Sequence, residues 1–102
     1  INELIESGKR TSEGVWPLPI LDLHEDEMKG TVGDLRNISG PSTGAGSSTG
    51  GAFLSYFVSE TSWVHLDIAG SAWGAAQRDY QGGDKGTGVG VRLLMDYLRS
   101  TK

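Results

Sequence analysis

The stretch WVHLDIA, residues 63–69, decides the fold class. Val64, Leu66 and Ile68 alternate with Trp63, His65 and Asp67, the two-residue period of a half-buried strand. A strand needs neighbours, because its N–H and C=O groups point sideways and go unpaired without them. No other part of the 102 residues alternates so clearly. The segments around it read as helices. The expected class is α/β, with helices packed around a sheet whose other strands lie upstream or come from a partner chain.

Downstream of that strand, TGVGVRLLMDYLRSTK (87–102) has a helical period. Val91, Leu94, Met95 and Leu98 fall at i, i+3, i+4 and i+7, with Arg92, Asp96 and Arg99 opposite. Between the two, Gly70 to Gly86 reads as loop, with Gln77, Arg78, Asp79, Gln81, Gly82, Gly83 and Asp84 polar. Upstream, AFLSYFVSE (52–60) fits a buried helix capped by Ser48 or Thr49, with a strand as the alternative. SGPSTGAGSSTGG (39–51) is a loop by composition, and TVGDLRNI (31–38) has no strong period. DLHEDEMKG (22–30) predicts a short helix capped by Asp22, headed by acids that suit its dipole and ended by Gly30. VWPLPIL (15–21) is extended, since Pro17 and Pro19 lack the donor a central strand requires; Trp16, Leu18, Ile20 and Leu21 are expected to pack on a neighbour. INELIESG (1–8) reads as the end of a helix stopped by Gly8, and KRTSEG (9–14) as a polar turn. Three or four helices and one strand do not close a domain, which points to a piece of something longer.

Composition narrows the functions. Nine basic residues against 13 acidic give a net charge of −4, which argues against nucleic acid and against an anionic membrane surface. No apolar run approaches the roughly 18 residues of a membrane span. Ile1 opens INELIESGKR with neither a basic nor an apolar leader region, so no signal peptide is expected. With no cysteine there is no disulfide scaffold, thiol catalysis or thiolate metal site, and the expected location is cytoplasmic. Glycine, at 16 residues, is about twice its usual share of roughly 7%.

Few side chains are spaced for chemistry. On a strand, His65 and Asp67 would share one face and could orient a metal or a proton, but a catalytic metal wants about three protein ligands and the other histidine, His24, is distant. Satisfying buried polar groups is the plainer role. The run Glu25, Asp26, Glu27 fans around a helix instead of converging on a cation. SGPSTGAGSSTGG lacks the lysine of a phosphate loop. KGTGVGVR (85–92) follows a loop instead of a strand, unlike a dinucleotide fingerprint; its glycines would let a helix start approach neighbouring backbone closely. Ser71 lacks the flanking glycines of a nucleophile elbow.

Taken in order, VWPLPI (15–20), GDLRNISG (33–40), GGAFLSYFV (50–58), WVHLDIAGSAW (63–73) and KGTGVGVRLLMDYL (85–98) resemble successive blocks at the C-terminal end of the leucyl aminopeptidases, the cytosol aminopeptidase family. The glycine-rich block is one residue shorter than the family's Lys-Gly-Ala-Thr-Gly pattern. Pro41 to Gly51 is Ser- and Gly-rich where relatives place alanines, so the helix there is expected to start late or fray.

The resemblance implies the C-terminal part of an α/β/α sandwich, with residues 1–102 a fragment of the aminopeptidase catalytic domain. Members hold two divalent metals, zinc or manganese, which activate water and polarise the scissile carbonyl to release an N-terminal residue, often leucine. They assemble as hexamers, dimers of trimers. Their metal ligands and catalytic residues lie in upstream motifs, including Asn-Thr-Asp-Ala-Glu-Gly-Arg, that this chain lacks. No catalytic residue, metal ligand or cofactor is therefore assigned to this chain by itself. The resemblance carries substrate-binding positions onto Ala69 and Ala72, lining the S1 pocket, and onto Ile38, lining S1′. Small residues at 69 and 72 would equally permit close packing of strand and helix. Peptides, through the parent enzyme, and the upstream part of the same domain are the implied partners, with homo-oligomerisation and no nucleic acid or membrane. A non-catalytic binding module and a self-associating fragment are the alternatives.

Overall fold

The computed structural model describes residues 1–41, 43–74 and 83–101. These residues form five helices: α1 (Asn2–Thr11), α2 (Asp22–Glu27), α3 (Gly46–Ser55), α4 (Ala69–Ala72) and α5 (Val91–Ser100). They fall into two units, one of Ile1–Pro17 with Leu66–Lys102 and the other of Leu18–His65. Of the loop expected from Gly70 to Gly86, residues 70–72 belong instead to α4 and residues 75–82 lie outside the described residues.

The first unit is built on α1 against α5. Glu3 in the first turn of α1 and Lys9 and Arg10 in its last suit the helix dipole. The helix runs past Gly8 and stops three residues later. There Ser12 takes a left-handed conformation (φ 57°), its N–H donates to the Lys9 carbonyl, and the Glu13 N–H reaches the Gly8 carbonyl at 3.0 Å. This is a Schellman closure with serine in the usual glycine seat. Gly8 serves a different need from the stop expected of it: a Cβ there would lie 2.7 Å from the Glu13 carbonyl oxygen as the chain folds back. Leu4 and Leu93 are buried in this unit. The Arg10 guanidinium sends Nε and Nη2 to Asp96 Oδ2, at 3.0 and 2.6 Å.

On α5 the apolar stripe is not the buried one. Val91, Leu94, Met95 and Leu98 are all exposed, Leu98 by 62%, while Leu93 alone on this helix is buried. The helix meets α1 along the Leu93, Asp96 and Ser100 line, where Arg10 binds Asp96 and Ser100.

The second unit packs α2 on α3 around Met28 (1% exposed) and Ala52 (0%). Helix α3, GSSTGGAFLS, starts six residues before the expected one and ends before Tyr56, correcting both the loop reading and the late start. Its glycines oppose helix formation, yet they let neighbours come close. A Cβ on Gly51 would sit 3.0 Å from Ile20 Cδ1, and Ser48, inside the helix instead of capping it, donates to the Pro19 carbonyl at 2.9 Å. Packing thus outweighs propensity. Of the apolar residues of 15–21, Ile20 finds that seat, but Trp16 stays 86% exposed. At the start of α2 the cap position is Leu21, not Asp22; the Leu21 N–H donates to His24 Nδ1 at 3.0 Å, which places the ring proton on Nε2. α2 ends at Glu27, and Gly30 instead makes the following turn, where a Cβ would overlap the Gly33 carbonyl.

Among the described residues there is no strand. Two isolated antiparallel bridges, Lys29 with Leu35 and Trp73 with Gly86, are the extended pairings present. The strand expected at 63–69 is corrected: residues 63–68 carry no ladder and Ala69 already opens α4. Alternation prepares a strand but cannot make one, because no described segment presents a free edge to it.

Candidate functional site

Two of the three predicted substrate-binding residues stand together. Ala69 and Ala72 open and close α4, one helical turn apart, Ala69 exposed and Ala72 half-buried. Ile38 belongs to the other unit, in an irregular stretch after Arg36, and is exposed.

A helix of four residues does not hold its own shape, since it forms too few internal bonds to offset the ordering of its backbone. Both ends of α4 are tied from outside. The Asp67 carboxylate accepts the Ala69 N–H at 3.0 Å. At the other end, the Thr87 hydroxyl donates to the Ser71 carbonyl at 2.5 Å, and the Thr87 N–H donates to the Ala72 carbonyl at 2.9 Å. The Val89 N–H in turn reaches Thr87 Oγ1 at 3.3 Å. The Trp73–Gly86 bridge and a bond from the Gly74 N–H to the Lys85 carbonyl extend the seam. Sequence reasoning missed Thr87, although a threonine flanked by glycines in the block KGTGVGVR was the available signal.

The same block answers the nucleotide question. Three N–H groups at the start of α5, of the kind an anion would need, are already engaged: Glu13 Oε2 accepts from Gly90 at 3.2 Å and from Leu93 at 2.9 Å, and the Val91 N–H donates to the Gly88 carbonyl at 3.2 Å. Gly88 (φ 71°) and Gly90 (φ 90°) are there for left-handed backbone, not close approach, because a Cβ on either would meet nothing within 4 Å.

His65 and Asp67 fall in different units. His65 lies beside Gly50 and Gly51 in the second unit, while Asp67 fastens α4 in the first. Among the described residues no group of three or more His, Asp or Glu side chains is arranged to hold a metal ion, so these residues do not fit a metal centre. A cavity of about 270 Å³, lined by Glu3, Glu6, Arg10 and Tyr97 among others, contains none of the candidate residues. No described helix is long and apolar enough to cross a membrane.

Comparison with known proteins completes the picture. The chain matches the cytosol aminopeptidase family, catalytic domain, over residues 1–95. It is 48% identical to a probable cytosol aminopeptidase of Geobacter sulfurreducens, over 96% of this chain and 19% of that protein. A probable cytosol aminopeptidase of Geobacter sp. (strain M21) is 46% identical over 97% of this chain and 20% of its own length. One from Chloroherpeton thalassium is 43% identical over 98% and 19%. The chain spans about a fifth of the length of these relatives and corresponds to their C-terminal part. It belongs to the cytosol aminopeptidase family.

Proposed function

We propose that this chain is the C-terminal part of the catalytic domain of a metal-dependent leucyl aminopeptidase, an enzyme of the cytoplasm that removes N-terminal residues from peptides. The observation that carries the reading is the family match over residues 1–95, with 48% identity to the Geobacter sulfurreducens relative. In this reading the chain supplies part of the substrate pocket and not the metal ligands. Ala69 and Ala72 on α4 would face the first side chain of the peptide, their small size leaving room for a leucyl group, and Ile38 would line the neighbouring subsite. Two divalent metals, zinc or manganese, would be held by residues upstream; when bound they activate water and polarise the carbonyl. The remaining strands of an α/β/α sandwich would likewise be upstream, beside the alternating residues 63–68. Exposed apolar groups such as Trp16 and Leu98 support a surface that the rest of the domain, or further copies in a homo-oligomer, covers.

The experiment is a full-length parent assayed on leucine p-nitroanilide with and without chelator, beside the 102-residue chain alone under the same conditions. Chelator-sensitive turnover by the parent and none by the chain is the expected result. Metal-dependent turnover by the chain alone would overturn the division of labour. The same exposed groups favour one second reading, that the chain by itself self-associates, and sedimentation across a concentration series tests it.

A further inference from the structure

We infer that Thr87 is a positioning residue for substrate selection, setting where the Ala69–Ala72 wall stands although it is not itself part of that wall. The inference rests on the pocket-wall reading above and deepens it. Thr87 is buried, so its effect runs through α4. The last carbonyls of any helix lack partners within it. In α4, with four residues, this holds for every carbonyl, and Thr87 takes those of Ser71 and Ala72, one with its hydroxyl and one with its N–H. Its hydroxyl oxygen simultaneously accepts the Val89 N–H, which anchors the threonine to the segment leading into α5. That segment is itself fixed, because Glu13 binds the Gly90 and Leu93 N–H groups. Positioning therefore passes from the segment ahead of a ten-residue helix to a four-residue one through a seam in which the Thr87 hydroxyl is the side-chain link. At the opposite end the Asp67 carboxylate accepts the first N–H of the helix, so loss of the Thr87 hydroxyl loosens the Ser71–Ala72 end relative to an end that stays anchored.

The test uses the full-length parent and three substrates, the p-nitroanilides of alanine, leucine and phenylalanine. Thr87→Val removes the hydroxyl at nearly constant volume, and Thr87→Ser keeps it. Thr87→Val is expected to change the preference among the three by roughly 3- to 10-fold, chiefly through KM, the size that loss of one neutral hydrogen bond commands. Thr87→Ser is expected to return the wild-type preference. Unchanged preference in Thr87→Val, or an equal fall in kcat on all three substrates, would overturn the inference. Should Thr87→Val fail to fold, Thr87→Cys, which retains only a weak donor, carries the same expectation and the same refutation. Ala72→Leu separates the two levels. If it leaves the preference unaltered, the pocket-wall reading fails; if it alters the preference while the Thr87 variants do not, the Thr87 inference alone fails.

Discussion

Glu13 Oε2 accepts the backbone N–H of Leu93 at 2.9 Å, across 80 residues of chain. The same oxygen accepts the N–H of Gly90, which as a glycine has no side chain to cap its own helix. A carboxylate from the turn after α1 thus does for α5 what a local cap residue does elsewhere, with the helix dipole adding to its hold.

Removing that carboxylate is therefore expected to act on α5. The Glu13 side chain is only 7% exposed, so solvent screens the contact little. Glu13→Ala is expected to cost about 1–2 kcal/mol, in the range of lost helix caps, and Glu13→Gln less, since an acceptor oxygen remains. Urea unfolding followed by circular dichroism measures both; equal stability of Glu13→Ala and wild type would contradict the capping role.

The acid side of the stability profile belongs to Asp96. Its carboxyl is held below the usual aspartate range, first by the hydrogen bond from Arg10, then by the Ser7 hydroxyl. A depressed carboxyl contributes stability above its unfolded pKa and loses it as pH falls through the lower folded value. The α1–α5 unit should accordingly loosen on acidification below the ordinary aspartate range, and Asp96→Asn should flatten that part of the profile. Added salt should weaken the pair, which is largely exposed. Thermal unfolding of both forms across an acid pH series is the measurement.

Gly8→Ala sets two effects against each other. Alanine favours a helix interior over glycine by about 1 kcal/mol. Against this, the new Cβ would lie 2.7 Å from the Glu13 carbonyl, a backbone atom that cannot yield cheaply. Crowding in a packed site costs about 1–3 kcal/mol, so a net loss is expected. Gly46→Ala, at the start of α3 with nothing within 4 Å of its Cβ, is expected to be neutral or to gain up to about 1 kcal/mol. A stabilised Gly8→Ala in denaturant unfolding would refute the close-approach account.

Leu98 distinguishes a covered face from a bare one. In the 102-residue chain it is exposed, and Leu98→Lys is expected to change stability by less than about 0.5 kcal/mol. In the full-length parent, if the rest of the domain covers α5, burial of the lysine is expected to cost about 1–3 kcal/mol. Parallel denaturation of the two proteins gives the comparison, and an equally small effect in both would mean that this face stays in solvent.

What was legible in the sequence was whatever depends on neighbours along the chain. The helical period of residues 91–100 marked α5, and the acid-headed run at 22–27 marked α2, because helix bonds are local and need no distant partner. The blocks from VWPLPI to KGTGVGVR identified the family by their residues and order alone.

Tertiary structure decided the rest, because the partner was a group that only the folded path of the chain brings near. Gly8 reads as a helix stop until Glu13 folds back over it; Gly46 to Gly51 read as loop until Pro19 and Ile20 pack against them. The alternation at 63–69 reads as a strand, but the cross-strand bonds it calls for have no donor among the described residues. Ala69 and Ala72 could be picked out by type, whereas their setting on one short turn depends on Thr87, 16 residues beyond Ser71, being brought against Ser71 and Ala72. Short-range order follows from backbone bonds between near neighbours; the placement of a pocket wall follows from pairings that only the folded chain creates.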